Sequence, residues 1–202
     1  MGQPAECKFA RLIKQANFRY RASIEGLDYS VERGPDKNQT HRLASPDFIK
    51  DKKDLFITGS TGTGKSYLAT ALGYHACQSG YKVMYASTSK LLGQLKVAKG
   101  KGTILQDLKK IERQDLLIPD DFGLQAFDTQ GRGALPDIIE DRYEKRSMII
   151  TSQIPVKGWY DVIGEKTIAN AVLDRIVHQS LRVELFGESL RKRKQVNENQ
   201  YL

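Results

Sequence analysis

The chain has 202 residues, enough for one domain with a core of its own. Hydrophobic residues make up 40% and charged residues 28%, which argues against a disordered chain. Lysine and arginine (32) outnumber aspartate and glutamate (24), and the resulting charge of +8 favours a polyanionic partner, nucleic acid being the commonest.

Cys7 and Cys77 are the only cysteines and have neither metal-ligand nor C-x-x-C spacing, so they read as reduced thiols in a cytoplasmic protein. No apolar run approaches the length of a membrane span, and residues 1–5 lack an apolar signal core. His41, His75 and His178 are scattered and suggest no metal site.

Residues 6–21 place Phe9, Leu12, Ile13 and Ala16 at helical spacing, with Lys8, Arg11, Lys14, Arg19 and Arg21 mostly around the other face. Such a basic helix either touches DNA or a partner, or packs on the core. Residues 27–29 and 32–41 read as a lead-in loop, and residues 46–49 as the start of a short helix.

The stretch from Leu55 to Ser66 is the first that carries chemistry. Leu55-Phe56-Ile57-Thr58 has strand character and runs into Gly59-Ser60-Thr61-Gly62-Thr63-Gly64-Lys65-Ser66, the pattern G-x-x-x-x-G-K-S, with a helix starting at Tyr67. Strand, glycine-rich turn and helix in that order form a phosphate-binding P-loop. The glycines let successive backbone N–H groups point into one concavity, and the new helix aims its positive end at the same anion. ATP contacts are therefore expected along residues 59–67, with Lys65 reaching the β- and γ-phosphates and Ser66 ligating Mg²⁺.

Gly80 is placed as a helix C-cap, and residues 82–86 as a strand. Ser87 or Thr88 then caps a helix through Leu91, Leu92 and Leu95, and Gly100 and Gly102 separate it from another through Leu108. This segment is rich in lysine; Lys90, Lys96, Lys99 and Lys101 are its candidate contacts to a DNA backbone, against the alternative of an ordinary charged face. Asp115-Leu116-Leu117-Ile118-Pro119-Asp120-Asp121 is an apolar run ending in paired acids, as in a Walker B strand. Asp120 is assigned to the Mg²⁺ side and Asp121 to the general base. Pro119 is unusual in a central strand and is expected at its last position, where one missing donor is tolerated.

A helix is expected over residues 138–146, with Gly131, Gly133 and Pro136 making its start irregular, then a buried strand over 148–153. That strand's end puts Thr151, Ser152 or Gln153 near the γ-phosphate or its water. A helix over 168–179, a strand over 182–185 and a basic helix over 188–194 complete the chain.

With these landmarks in place, the chain resembles the IstB-like ATP-binding proteins, helper ATPases of bacterial insertion sequences related to the DnaC helicase loaders of the AAA+ class. The most specific stretches are Ile150-Thr151-Ser152-Gln153-Ile154-Pro155-Val156 with Trp159-Tyr160, Leu173-Asp174-Arg175-Ile176-Val177-His178, and Gly187-Glu188-Ser189-Leu190-Arg191-Lys192. The resemblance implies an α/β AAA+ P-loop NTPase fold over residues 51–202: a parallel sheet flanked by helices, with a small helical C-terminal part. Residues 1–50 would be a basic arm and lead-in, the family's N-terminal partner-binding domain being apparently absent. It implies Ser152 and Gln153 in the sensor-1 region, Arg175 as an arginine finger acting in trans in a homo-oligomer, and Arg191 as sensor 2. Asp121 stands where many AAA+ enzymes have glutamate, so turnover is expected to be slow.

The implied function is an ATPase, with ATP and Mg²⁺, that assembles on double-stranded DNA and regulates a transposase. A helicase loader, a small-molecule kinase and a non-enzymatic ATP-gated DNA-binding module are the alternatives.

Overall fold

The apolar runs at residues 55–57, 116–118 and 148–150 become strands because their side chains alternate between two buried faces. The structure is a computed structural model and describes residues 4–29 and 34–190. Strands β1 (Leu55–Gly59), β2 (Val83–Ser87), β3 (Leu116–Asp120), β4 (Ser147–Ser152) and β5 (Leu181–Leu185) are all parallel and lie in the order β2-β3-β4-β1-β5. Leu55, Ile57, Leu116, Ile118 and Ile149 face one core, and Phe56, Leu117, Met148 and Ile150 face the other.

On the first face lie α1 (Pro4–Ala16), α2 (Lys37–Ala44), α3 (Asp47–Lys50) and α4 (Lys65–Gln78). The second face is covered by α5 (Thr88–Gly100), α6 (Ile104–Glu112), α7 (Thr129–Arg142), α8 (Trp159–Ile163) and α9 (Lys166–Val177). The result is a sheet between two helical layers, as the α/β expectation required. No helix among the described residues is long and apolar enough to cross a membrane.

The first helix is shorter than its periodicity suggests. It stops at Ala16 because Asn17 turns left-handed at φ 57, a conformation that asparagine tolerates well. Leu12 and Ala16 are buried against the core, so this face of α1 packs on the sheet layer rather than standing free. Residues 37–41, expected as part of a loop, instead belong to α2. Asp36 and Gln39 make a reciprocal capping box there, a D-x-x-Q signal present in the sequence. The seventh helix starts nine residues before the expected 138, at Thr129. Asp128 caps it, accepting from Gly131 N at 2.6 Å, and buried Ala134, Leu135, Ile138 and Ile139 hold it helical through Pro136. Residues 188–194 lie mostly outside the described residues.

A buried arginine and a half-buried aspartate tie neighbouring elements together. Arg142, 1% exposed, donates to the carbonyl oxygens of Ile111 (2.9 Å), Gln114 (3.1 Å) and Ser147 (2.7 Å), tying α7 to the end of α6 and the start of β4. Burial brings its guanidinium down to about 10. Asp54 accepts from Met148 N at 2.8 Å, and loss of water pushes its carboxyl up to about 7, against the opposing pull of that hydrogen bond and of Arg142. Trp159 is fully buried between Phe56 (centroids 4.8 Å apart) and Phe122 (4.7 Å), and its indole N–H donates to Ile154 O at 2.9 Å.

Candidate nucleotide site

The P-loop leaves the carboxyl end of β1 between the ends of β4 and β5. Gly59 (φ 146) and Gly62 (φ 83) take backbone conformations open to glycine. A Cβ on Gly59 would collide with the Leu185 carbonyl oxygen of β5, and one on Gly62 with the Ser189 side chain. The strand that closes the sheet and the segment beyond it therefore brace the loop from outside, and Leu190 N donates to Gly62 O at 2.9 Å. Helix α4 begins at Lys65 with no side-chain cap, so its first-turn N–H groups are available to an anion. Lys65 is 5% exposed; its ammonium and the Thr63 hydroxyl both donate to Ser60 O at 2.8 Å. Glycine cradle, uncapped helix and inward lysine together fit a polyphosphate.

The acidic wall stands opposite. Asp120, 1% exposed, collects hydroxyl donors: Ser66 Oγ at 2.8 Å, Thr151 Oγ1 at 2.5 Å, and Tyr85 Oη. Thr88, at the start of α5, holds the Asp120 backbone oxygen at 2.9 Å. Pairing of β3 with β4 ends at Leu117, and β3 continues to pair with β2 as far as Asp120. Pro119, opposite Ala86 of β2, has no N–H to extend the β4 ladder beyond Leu117, and contact with β4 resumes where Phe122 N donates to Thr151 O.

Asp121 follows with a left-handed backbone, φ 57, fixed by Asp121 N to Thr151 Oγ1 (3.0 Å) and Phe122 N to Thr151 O (2.8 Å). Desolvation and the adjacent Asp120 charge raise its carboxyl above the usual range, while Lys65, Arg19 and a hydrogen bond from Gln153 pull the other way. Two carboxylates side by side, one saturated with hydroxyls and one partly exposed, are suited to different tasks.

The remaining candidates fall in several places. Gln153 reaches the loop and accepts from Thr61 Oγ1 at 2.5 Å. Ser152 is fully buried; its hydroxyl donates to Phe122 O (2.7 Å) and accepts from Ile154 N (3.1 Å), so Gln153 and Thr151 are the residues of this strand end that meet the site. Tyr67 turns away from the cradle, stacking on Tyr20 and accepting from Ser23 N at 3.4 Å. Arg175 lies in a cleft with Asp54, Arg142 and Met148, by the amino ends of β1 and β4, its guanidinium paired with Glu140 at 2.7 Å. With about 3.3 Å of rise per residue, β1 alone puts roughly 15 Å between that end and the P-loop. Arg191 lies outside the described residues. Lys90, Lys99 and Lys101 are exposed on or just after α5, and Lys96 pairs with Asp128 at 2.9 Å. Sequence reasoning missed Tyr85, which sits on β2 opposite Ile118 and 35 positions before the acid it serves, with no local signal.

A P-loop braced by a fifth strand and facing paired aspartates is a nucleotide site, and the comparisons say whose. The family model of the IstB-like ATP binding protein matches residues 3–198. The chain belongs to that family. It is 42% identical over 185 residues to the insertion sequence ATP-binding protein named y4pL of Sinorhizobium fredii (strain NBRC 101917 / NGR234), covering 92% of this chain and 76% of that one. It is also 42% identical over 149 residues to the ATP-binding protein of insertion sequence IS1162 of Pseudomonas fluorescens, covering 73% and 64%. Among solved structures, DnaI matches with a TM-score of 0.68 at 21% identity (84% of this chain, 90% of that one), and the DnaC helicase loader with 0.63 at 19% (82% and 97%). DnaA bound to AMPPCP and single-stranded DNA matches with 0.66 at 21% (90% and 56%). At these identities the likeness shows the fold, which is that of the AAA+ P-loop NTPases, and this IstB-like chain is an ATP-binding member of that class.

Proposed function

We propose that this IstB-like protein hydrolyses ATP with Mg²⁺, assembles as a homo-oligomer on double-stranded DNA, and regulates a transposase. The observation that supports hydrolysis is the link between Ser66 and Asp120 beside an accessible Asp121. Lys65 and the N–H groups of the P-loop hold the β- and γ-phosphates, and Ser66 and Asp120 supply the oxygen ligands a hard cation takes. Mg²⁺, when bound, neutralises phosphate charge. Asp121 orients the attacking water and accepts its proton as the bond from the γ-phosphorus to the bridging oxygen breaks, releasing ADP and phosphate. Gln153, tied to Thr61, marks the γ-phosphate end of the site.

The distance of Arg175 from its own P-loop supports a role in trans, on a neighbour's nucleotide, once the Glu140 pair opens. Exposed Lys90, Lys99 and Lys101 and the charge of +8 support the DNA reading, with Lys96 joining it on release from Asp128. The names of the insertion-sequence relatives support a transposase as the partner. Residues 51–202 would carry the ATPase and residues 1–50 its lead-in, with Arg191 as sensor 2, in the cytoplasm.

The test is ATP hydrolysis against protein concentration, with and without duplex DNA, beside Arg175→Ala. Turnover that rises with concentration and DNA and collapses in the variant supports the shared site. Turnover indifferent to all three rejects it.

A further inference from the structure

Three hydroxyl groups reach the Asp120 carboxylate, and they divide between its two oxygens. Ser66 and Thr151 both donate to Oδ1, at 2.8 and 2.5 Å, whereas Tyr85 donates to Oδ2. Thr151 is committed to donating, because its oxygen already accepts from Asp121 N at 3.0 Å. Ser66 follows Lys65 at the start of α4, so Oδ1 is the oxygen turned toward the phosphate cradle.

Tyr85 arrives from the far side. In the ladder of β2 with β3 it lies opposite Ile118, and the residue opposite Asp120 is Ser87. The phenol therefore reaches along the sheet by two residues, roughly 7 Å of strand rise, a span too long for a serine or threonine. Its ring is held where that reach requires it. Tyr85 is buried, Phe18 leans on it with centroids 6.2 Å apart, and Phe18 in turn stacks on Tyr74 of α4 at 4.7 Å. Gly73 leaves the room for this cluster: a Cβ there would collide with the Phe18 ring and with Ile118. A tyrosine has two side-chain torsions before its ring, so packing the ring also places the hydroxyl.

We propose that Tyr85 is a positioning residue of the nucleotide site: by engaging Oδ2 it holds Oδ1 of Asp120 toward Ser66 and leaves the carboxylate one oxygen for a cation, which favours Mg²⁺ over Ca²⁺. This deepens the Mg²⁺ reading above and rests on it. Ca²⁺ takes a carboxylate by one oxygen or by both in a flexible shell, whereas Mg²⁺ demands a compact octahedron. A carboxylate whose far oxygen is held by a buried phenol does not swing to offer both, and a hydrogen bond of this kind behind a metal ligand fixes the ligand's orientation.

The test is the equilibrium affinity of the full chain for ATP in Mg²⁺, in Ca²⁺ and in EDTA, which needs no turnover. Tyr85→Phe keeps the ring against Phe18 and removes only the donor. It should lose about tenfold or more of the affinity gained from Mg²⁺, with binding in EDTA changed less than about twofold. Its gain from Ca²⁺ should fall less, narrowing the preference for Mg²⁺ by about threefold or more. Tyr74→Phe removes a hydroxyl from the same cluster, leaves the Asp120 donors in place, and should behave as the parent. An unchanged gain from Mg²⁺ in Tyr85→Phe overturns the proposal, as does an equal loss in EDTA, which would mean that the hydroxyl serves the fold alone. An unchanged preference between the two cations overturns the one-oxygen assignment. A parent chain that binds ATP equally in Mg²⁺ and EDTA rejects the Mg²⁺ reading and this proposal with it. A parent that binds ATP with Mg²⁺ but does not hydrolyse it rejects hydrolysis only, and the Tyr85→Phe comparison still decides.

Discussion

Ser66 Oγ donates to Asp120 Oδ1 at 2.8 Å, joining the first residues of α4 to the end of β3 across 54 positions of sequence. The hydroxyl is thus aimed where a shared cation would need it, and a bound Mg²⁺ would be held by these two side chains. Asp120→Ala should abolish Mg²⁺-dependent nucleotide binding, whereas Ser66→Ala should weaken it about tenfold or more and leave the fold intact. Isothermal titration with ATP, with and without Mg²⁺, reads the difference. Equal metal dependence in Asp120→Ala and the parent would place the cation elsewhere.

Asp121 carries the second prediction. Its carboxyl is raised by desolvation and by Asp120, so it protonates at higher pH than an ordinary aspartate. The base must be ionised, so turnover should fall as pH drops through that raised value. Asp121→Asn should remove this limb together with about a hundredfold or more of turnover while still binding ATP. A pH–rate profile flat through the acid range would argue that Asp121 is not the base.

Asp54 should leave its mark on stability. Its folded-state pKa of about 7 lies above the ordinary 3.8, so the native state holds the proton more tightly than the unfolded chain. Stability from this group therefore declines as pH rises from about 4 to about 7 and is level beyond. The total is no more than about 4 kcal/mol, and less to the extent that water reaches the carboxyl's outer edge. Asp54→Asn keeps an acceptor for Met148 N and removes the ionisation. The difference in urea-unfolding free energy between parent and variant should grow across that window; a constant difference would contradict it.

Trp159, the single tryptophan, offers a direct probe of the second core. Its native emission should be blue-shifted and should redden in one step on unfolding. Trp159→Ala should cost about 3–5 kcal/mol, since it empties the space between Phe56 and Phe122. Trp159→Phe should cost less, losing chiefly the bond to Ile154 O. Chemical denaturation measures both.

The two thiols should differ sharply. Cys7 is exposed, whereas Cys77 is buried in α4 with its thiol pushed up to about 12 by desolvation. One thiol per native chain should react readily with a disulfide reagent and the second only with unfolding. Two fast thiols in the native protein would mean that α4 opens locally.

How much of this was legible in the sequence depended on the range of the interaction. The central strands were legible because both faces are buried, leaving unbroken apolar runs such as Leu116-Leu117-Ile118, and the P-loop because its chemistry is local to eight residues. Helix α7 was obscured: Gly131, Gly133 and Pro136 all argue locally against a helix, and burial of Leu135, Ile138 and Ile139 overrides them. Helix α2 was readable from Asp36 and Gln39. Tyr85 had no local signal, since its place beside Asp120 comes from the parallel pairing of β2 with β3. Ser152 ends β4 and Gln153 follows it, and nothing in the local sequence says that one meets Phe122 and the other the loop.

The strand order has a consequence for how the protein comes into being. Strand β1, which carries the P-loop, is flanked by β4 and β5, the two strands translated last, and Ser189 and Leu190 lie against the loop itself. A ribosome that has made the whole glycine-rich motif has therefore made a site that cannot yet hold its shape. The loop waits, its neighbours missing, until well over a hundred further residues have emerged. Nascent chains should stay blind to ATP throughout that interval, and nucleotide could assist only the last act of folding, the seating of β5.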